Sequence, residues 1–504
     1  MHRRTGGWLL LTLALVACAT SPDVTSTEAR ANHDSSVTTV YVPGSGPTTD
    51  SSTPPTTAST TPTSNPAGSD PNGIGDALFP ALGNPGIDVE HYTLVLDYDP
   101  KRRALSATEH IDLVMTQDRD MFSLDSDGPS VSAVSIDGAN VKFVAAPPEL
   151  LITPAGRLVK GRHIGVDITY TVSPESVPSA AHERVGWFPT PGGSYVLNEP
   201  EGGRTWLPSD DHPSDRATFR FEITVPTGLT AVANGALIDH TSTASTDTWI
   251  WQEDRPMATY LIQVLTGDYE LVDGVGPNGL PLLSAVLHQD RATMQPALDT
   301  IGEQIDFFDD YFGPFPFDRY GIAIADSAPG IAMETMERSM FSRLDFTSGR
   351  LDLPQELLLS HELTHQWFGD AVSPARWTDV WLNESFATYG EWMWLDHLGL
   401  RSIEESADAG LTTREPGSTA SPSVDQMFGF NSYDGGAVIL HALRKTIGDN
   451  LFFTLLRRWV ADNSGTSRTT QDFVALANEV AGRDLTQFFA TWLYADTVPT
   501  SFPV

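Results

Sequence analysis

Polar and apolar residues alternate through HYTLVLDYDP, which begins at His91, and the same two-residue period returns in IDLVMTQ, ATFRFEITVPTGLTAVANG, TWIWQ and ATYLIQVL. Alternation among β-branched residues, interrupted by turn residues, marks strands with one buried face. Residues 85 to about 272 are therefore expected to form an all-β domain. Past GDYELVDG the period changes: ATMQPALDTIGEQIDFFDDYFG repeats its apolar positions at helical spacing, and helical segments dominate to the end, so the boundary is placed near residue 273. Two later helices can be read in detail. In LDLPQELLLSHELTHQWFGD, Pro354 suits a first turn, the leucines supply an apolar face and Gly369 suits a terminator. In WTDVWLNESFATYGEWMW, Leu382, Phe386, Tyr389 and Met393 form the expected buried stripe of an amphipathic helix. No repeat of solenoid length is present.

With 504 residues, 40% of them hydrophobic, the chain can bury a large core and is long enough for about two or three domains. Lys and Arg total 30 against 65 Asp and Glu, a net charge of −35 that repels nucleic acid and favours cationic partners or plain solubility. Cys18 is the only cysteine, which excludes an intramolecular disulfide. It follows a basic start at His2, Arg3 and Arg4 and an apolar run from Trp8 to Ala17 that is too short for a comfortable membrane span. Residues 1–18 thus read as a signal peptide, and LVAC resembles the lipobox of bacterial lipoproteins, where the cysteine is lipidated and becomes the mature N-terminus. A plain secretory signal is the alternative, and Arg3-Arg4 also allows twin-arginine export. The Ser/Thr/Pro-rich tract from Ala19 to about Asn72 has few large apolar residues to bury and is expected to be a disordered tether. The expected organisation is a tether at 19–80, a β-domain at 81–272 and a helix-rich domain at 273–504, lipid-anchored through Cys18 at the cell surface.

The chemistry concentrates in HELTH. On a helix His361 and His365 lie one turn apart on a shared face, so two imidazoles can reach one cation while Glu362 projects beside them without being a ligand. Zinc needs a third protein ligand and an open position for water, and Glu384, at the start of the second helix, is the candidate. Histidines on an apolar helix are more often hydrogen-bonded core residues than ligands, and HELTH alone leaves both readings open. If one zinc ion is held, it polarises a water, and Glu362 can take the water's proton as it attacks a peptide carbonyl. Asp379, near the second helix, is a further carboxylate that could orient a ligand histidine.

Eighteen residues separate His365 from Glu384, and HExxH followed at that distance by Glu resembles the gluzincin aminopeptidases of the M1 family. The resemblance runs in order from about residue 85 to 504. HELTHQWFGDAVSPARWTDVWLNESFATY resembles the family's zinc-binding helix pair, and Ile331 to Thr335, IAMET, resembles its exopeptidase motif GAMEN. NEPEGGRTWLPSDDHPSDRATFRFEITVP resembles the stretch of its β-domain that reaches into the active site, and YDGGAVILHALRKTIGD the segment with its catalytic tyrosine. The resemblance implies a β-sandwich or saddle-like domain followed by a thermolysin-like, mainly helical α/β catalytic domain that hydrolyses the N-terminal bond of peptides with free N-termini. It implies that Tyr433 donates to the oxyanion, that Glu334 and Glu199 receive the substrate's α-ammonium with help from Glu384, and that Ala332 and Met333 lie along the substrate.

Departures accompany the match. Ile331 and Thr335 stand where GAMEN has Gly and Asn, which puts the first side-chain pocket in doubt; Leu197 stands where many members have Gln, and Gly435 where Lys is usual. Many members also continue into a large helical domain beyond the point matched by LTQFFATWLYADTVPTSFPV, from which a more open cleft is expected here. Two rival readings remain: a zinc endopeptidase on the same scaffold, and a non-catalytic surface peptide-binding protein, against which the intact His361, Glu362, His365 and Glu384 argue.

Overall fold

The alternation in ATFRFEITVP is realised in the strand Ala217–Pro226, where Ala217, Phe219, Phe221, Ile223 and Val225 are buried and the residues between them half-buried. Ile87–Asp99 runs parallel to it and buries Tyr92, Leu94, Leu96 and Tyr98, its period shifted by an irregularity between Val89 and His91. These two strands stand third and fourth in an eight-stranded sheet whose other neighbouring pairs are antiparallel. A five-stranded sheet faces it, in the order Thr230–Ala233, Val264–Gly267, Ser194–Leu197, Arg184–Pro189 and Ser176–Pro178. Trp187 of this second sheet packs against Tyr98 of the first at 5.1 Å between ring centroids and against Trp206 at 5.3 Å. The structure, a computed structural model, describes residues 73–181 and 184–503. The signal peptide, Cys18 and the tether as far as residue 72 lie outside these.

Three features differ from the sequence reading. Residues 73–80, assigned to the tether, are anchored at two points: Phe79 is buried against Trp377, and Asp76 accepts from Trp377 N at 2.9 Å. In ATYLIQVL only Val264–Gly267 is a strand, because Thr259–Leu261 forms a tight turn. Its carbonyls are taken by side chains, Asn234 donating to Leu261 O at 3.0 Å and Asn198 to Ile262 O at 3.3 Å. The boundary near residue 273 falls inside the strand Tyr269–Val275, which pairs with Pro281–Leu287 in a mixed sheet completed by Ile322–Ala325, Ser339–Ser342 and the edge strand Ala332–Met333. The apolar pattern there is shared by strands on both sides of the expected boundary, so periodicity alone could not separate them.

Eight helices follow among the described residues: α1 (Gln295–Phe312), α2 (Leu353–His365), α3 (Trp381–His397), α4 (Ile403–Thr413), α5 (Asp434–Ile447), α6 (Asp449–Asn463), α7 (Thr470–Ala481) and α8 (Thr486–Trp492). The expected stripe on α3 is a buried helix instead: Trp381 to Leu395 is buried throughout except for the half-buried Glu391. Polar and small residues sit inside because α2 approaches closely, and a Cβ added at Gly390 would lie 2.2 Å from Thr364 Oγ1. None of the described helices is long and apolar enough to cross a membrane.

Polar side chains in the core bind the β-rich half to the loop that carries IAMET. Arg338, 1% exposed, donates to Ala233 O at 2.7 Å and Leu283 O at 2.9 Å and lies over the Trp251 ring. Gln263 donates to Thr335 Oγ1 at 2.8 Å and Arg338 O at 2.7 Å, and Asn234 to Met336 O at 3.0 Å. A second network lies under the loop that follows Ser194–Leu197, where Asp125 accepts from Gly83 N and Asp211 N at 2.9 and 2.8 Å. Beside it Glu149 accepts from Asn84 at 3.3 Å, and burial, eased by Ser123 and Asn84, pushes its carboxyl up to about 7 from an ordinary 4.5.

A raised folded-state value means that the contribution of Glu149 to stability is complete below about 4.5 and is lost as pH rises through about 7. The melting temperature of the zinc-loaded protein should therefore fall across this interval by more than that of Glu149→Gln, whose side chain stays neutral. Thermal unfolding followed by circular dichroism at a series of pH values measures the difference.

Candidate active site

Helix α2 delivers His361, Glu362 and His365 in its last two turns, all buried. The chain then widens into a π-type turn, Gln366–Asp370, in which Gly369 adopts φ 131°. That conformation is strained for a residue with a side chain, and a Cβ there would lie 3.2 Å from Asn383 Nδ2 and 3.4 Å from His365 Nδ1. The turn brings the Phe368 carbonyl back onto the helix, where it lies 3.1 Å from His365 Nδ1 and accepts its N–H. His361 is fixed differently, its Nδ1 lying 2.6 Å from Glu391 Oε1 of α3. With both Nδ1 atoms occupied as donors, both Nε2 atoms are left as metal-binding lone pairs. They lie 3.3 and 3.5 Å from Glu384 Oε2, in the first turn of α3.

One donor atom each from His361, His365 and Glu384 falls within a 4.8 Å cluster. Two neutral imidazoles and a carboxylate, buried and converging, fit Zn²⁺ with a coordination position left for a reactant. Electrostatics agree. Burial alone would raise Glu384, but His365 and His361 pull it down to about 2. Burial would lower His365, yet Glu334 and Glu384 push it up to about 9, and Glu384 and Glu391 likewise hold His361 well above the usual imidazole range. The site demands positive charge, and protons must leave for a metal to take their place.

Further carboxylates surround this centre. Glu362 Oε2 is buried without a hydrogen-bond partner, and burial, eased by His361 and His365, pushes the carboxyl up to about 8. Glu199, Glu334 and Glu384 also bring one oxygen each within 4.8 Å of one another. The cleft is lined in addition by Ala332, Met333 and Tyr433, so the expected metal ligands, base, tyrosine and substrate-binding residues meet in one place, and Asp379 is not among them. Tyr433 precedes α5 and its ring stacks near His361 at 6.0 Å. Ser385 Oγ donates to Ser432 O at 2.6 Å and so ties that loop to α3.

Residues 88–261 match the Peptidase M1 N-terminal domain and residues 296–492 the Peptidase family M1 domain. The crystal structure of the M1 zinc metallopeptidase from Deinococcus radiodurans superposes with a TM-score of 0.78 at 31% identity, covering 86% of this chain and 99% of that one. The chain belongs to peptidase family M1. A structure of a point variant of the Deinococcus enzyme bound to Tyr-Ser-Ala is also similar, at 29% identity and a TM-score of 0.76 over 86% of this chain and 99% of that one. Among curated relatives, probable aminopeptidase 2 of Sulfurisphaera tokodaii is 27% identical over 449 residues, covering 82% of this chain and 54% of the relative. Aminopeptidase M1-C of Oryza sativa subsp. japonica is 28% identical over 315 residues, 57% of this chain and 35% of the relative. The chain thus spans about half or less of the length of these curated relatives.

The departures from the M1 motifs have structural counterparts. Ala332–Met333 still forms an edge strand, pairing Ala332 with Phe341 and Met333 with Met340. Thr335, where Asn is usual, accepts from Gln263 and donates to Arg338 O at 2.6 Å. At Gly435 an added Cβ would lie 2.3 Å from Arg414 Nη1, so a cation from another segment fills space next to the missing side chain. Asp379 does not orient a ligand: it accepts from Thr470 Oγ1 at 2.7 Å and pairs with Arg376 at 3.0 Å. Glu391 has that role for His361, and its spacing was the available signal, since two helical turns beyond Glu384 return to the same face.

Glu391→Gln should weaken zinc binding about 10–100-fold with the helix pair intact, because the His361 ring loses its charged partner. Competition with a chromogenic chelator, alongside far-UV circular dichroism, measures both quantities.

Proposed function

We propose that the protein is a zinc-dependent aminopeptidase that removes N-terminal residues from extracellular peptides. The observation that carries this reading is the convergence of Glu199, Glu334 and Glu384 beside the zinc site. Three carboxylates this close, two of them buried and Glu199 half-buried, favour a cation, and a peptide's α-ammonium supplies one through charge-assisted hydrogen bonds. An internal peptide bond brings no such group, which disfavours endopeptidase action.

When bound by His361, His365 and Glu384, zinc supplies a Lewis acid for the attacking water and the scissile carbonyl. Glu362, buried beside the ligands with Oε2 unpartnered, takes the proton of the attacking water and passes it to the departing nitrogen. The Tyr433 hydroxyl donates to the carbonyl oxygen as charge develops there. The edge strand Ala332–Met333 offers backbone groups along which the substrate's first residues align. The Tyr-Ser-Ala complex of the Deinococcus relative supports short peptides with free N-termini as the substrate class. The basic start, short apolar run and LVAC of the N-terminus support export and lipid anchoring at Cys18, with residues 19–72 as a tether that lets the enzyme reach its substrates.

The test is hydrolysis of a panel of aminoacyl arylamides. Wild type should cleave free-amine members, N-acetylation should abolish cleavage, and Glu362→Gln should lower kcat about 10²–10⁴-fold with zinc still bound. Cleavage of the acetylated members at comparable rates would move the protein to the endopeptidase reading.

A further inference from the structure

The β-domain contributes four residues to the cleft: Arg184, Phe188, Leu197 and Glu199. They come from one antiparallel hairpin, in which Gly186 pairs with Leu197 and Trp187 with Val196. That ladder ends at Leu197, two residues before Glu199, and Arg184 pairs on its other side with Pro178 of the neighbouring strand. A cation stands on the wall of a cleft whose other charged lining residues include Glu199, Glu334, Glu362 and Glu384.

Arg184 is held by Ser176 through neutral groups. Its Nε donates to Ser176 Oγ at 2.9 Å and its Nη2 to Ser176 O, both on the adjacent strand. Several other arginines of this acidic chain meet carboxylates, as Arg319 meets Glu337 at 2.7 Å, Arg343 Asp290 at 2.7 Å and Arg444 Asp449 at 2.9 Å, while Arg338 and Arg216 are held by carbonyls. Among the described residues no carboxylate lies within 4.0 Å of Arg184. Anchoring through Ser176 fixes one side of the guanidinium and leaves N–H groups of a rigid fork for another acceptor, the geometry that favours a carboxylate. Phe188, Leu197, Ile331 and Phe428 add apolar lining to the same cleft.

We propose that Arg184 is a specificity determinant that binds a carboxylate of the peptide substrate, carried either by the side chain of an acidic N-terminal residue or by the C-terminus of a short peptide. One cleft then offers carboxylates for the α-ammonium and a cation for a carboxylate, with apolar lining besides. The proposal rests on the aminopeptidase reading, since it takes the ammonium as bound at Glu199 and Glu334.

The test compares charged substrates with their neutral isosteres on zinc-loaded wild type, Arg184→Lys and Arg184→Gln. One pair is glutamyl against glutaminyl arylamide, which has no C-terminal carboxylate; the other is trialanine against trialanine amide, read by released alanine. In wild type at least one pair should favour the charged member. Arg184→Gln should lower that kcat/KM ratio about tenfold, the scale of one partly solvated charge-assisted contact, and Arg184→Lys should fall between. A shift in the first pair identifies the side chain as the source, and a shift in the second identifies the C-terminus. A merely structural role for Arg184 in bracing its strand would change both members of a pair alike. Equal ratios in wild type and Arg184→Gln would overturn the proposal while cleavage of the neutral members upheld the aminopeptidase reading. Failure of wild type to cleave any member would overturn both.

Discussion

A carboxylate placed between two imidazole nitrogens, deep in the helical core, is the contact on which the catalytic half depends. Glu384 Oε2 lies 3.3 and 3.5 Å from the Nε2 atoms of His361 and His365, and all three residues are nearly inaccessible to water. Charges in such surroundings are costly unless compensated, so the helices carrying them must be fixed relative to one another. The small residue Gly390 lets α2 approach α3, Glu391 on α3 clamps His361, and the turn at Gly369 returns a carbonyl to His365. The same proximity that assembles the metal ligands therefore also sets which ring nitrogen each histidine presents.

The β-domain is part of the site rather than a platform beneath it. Its hairpin supplies one wall of the cleft, and buried side chains from its strands and turns reach into the loop that carries the exopeptidase motif. Arg338 sits at the centre of this junction, satisfied largely by backbone carbonyls from both halves. Tyr260 extends the connection to the zinc-binding turn, donating to Gly369 O at 3.2 Å while Asn383 of α3 donates to its hydroxyl at the same distance. Thr335 can replace the family's usual Asn because a hydroxyl still provides one acceptor and one donor to this network.

Charge in the cleft is unbalanced by design of the fold, in the sense that carboxylates outnumber the cations held within it. Glu199, Glu334, Glu362 and Glu384 surround two histidines, and the consequences appear as a depressed Glu384, a raised Glu362 and raised imidazoles. A metal ion and an ammonium group relieve this repulsion together, so cofactor and substrate complete one electrostatic arrangement. The carboxylate nearest both imidazoles stays ionised as a ligand, and the one beside them is left able to carry a proton.

Residue type and local spacing determined much of this by themselves. The one-turn separation of His361 and His365 around Glu362 marked a candidate metal helix, and alternation marked the β-rich half, because both are periodicities that a helix or strand imposes on near neighbours, whereas the later Glu384 was tied to them by the M1-like spacing. Local pattern did not reveal that α3 is buried on nearly all sides, that Phe79 packs against Trp377, or that Glu391 rather than Asp379 orients a ligand. Nor did it place Arg184 in the same cleft as Glu334 and Glu362, residues from a different half of the chain. Those facts depend on distances between segments far apart in sequence, which are set by sheet register and by how closely helices can approach, and only the packed tertiary structure decides them.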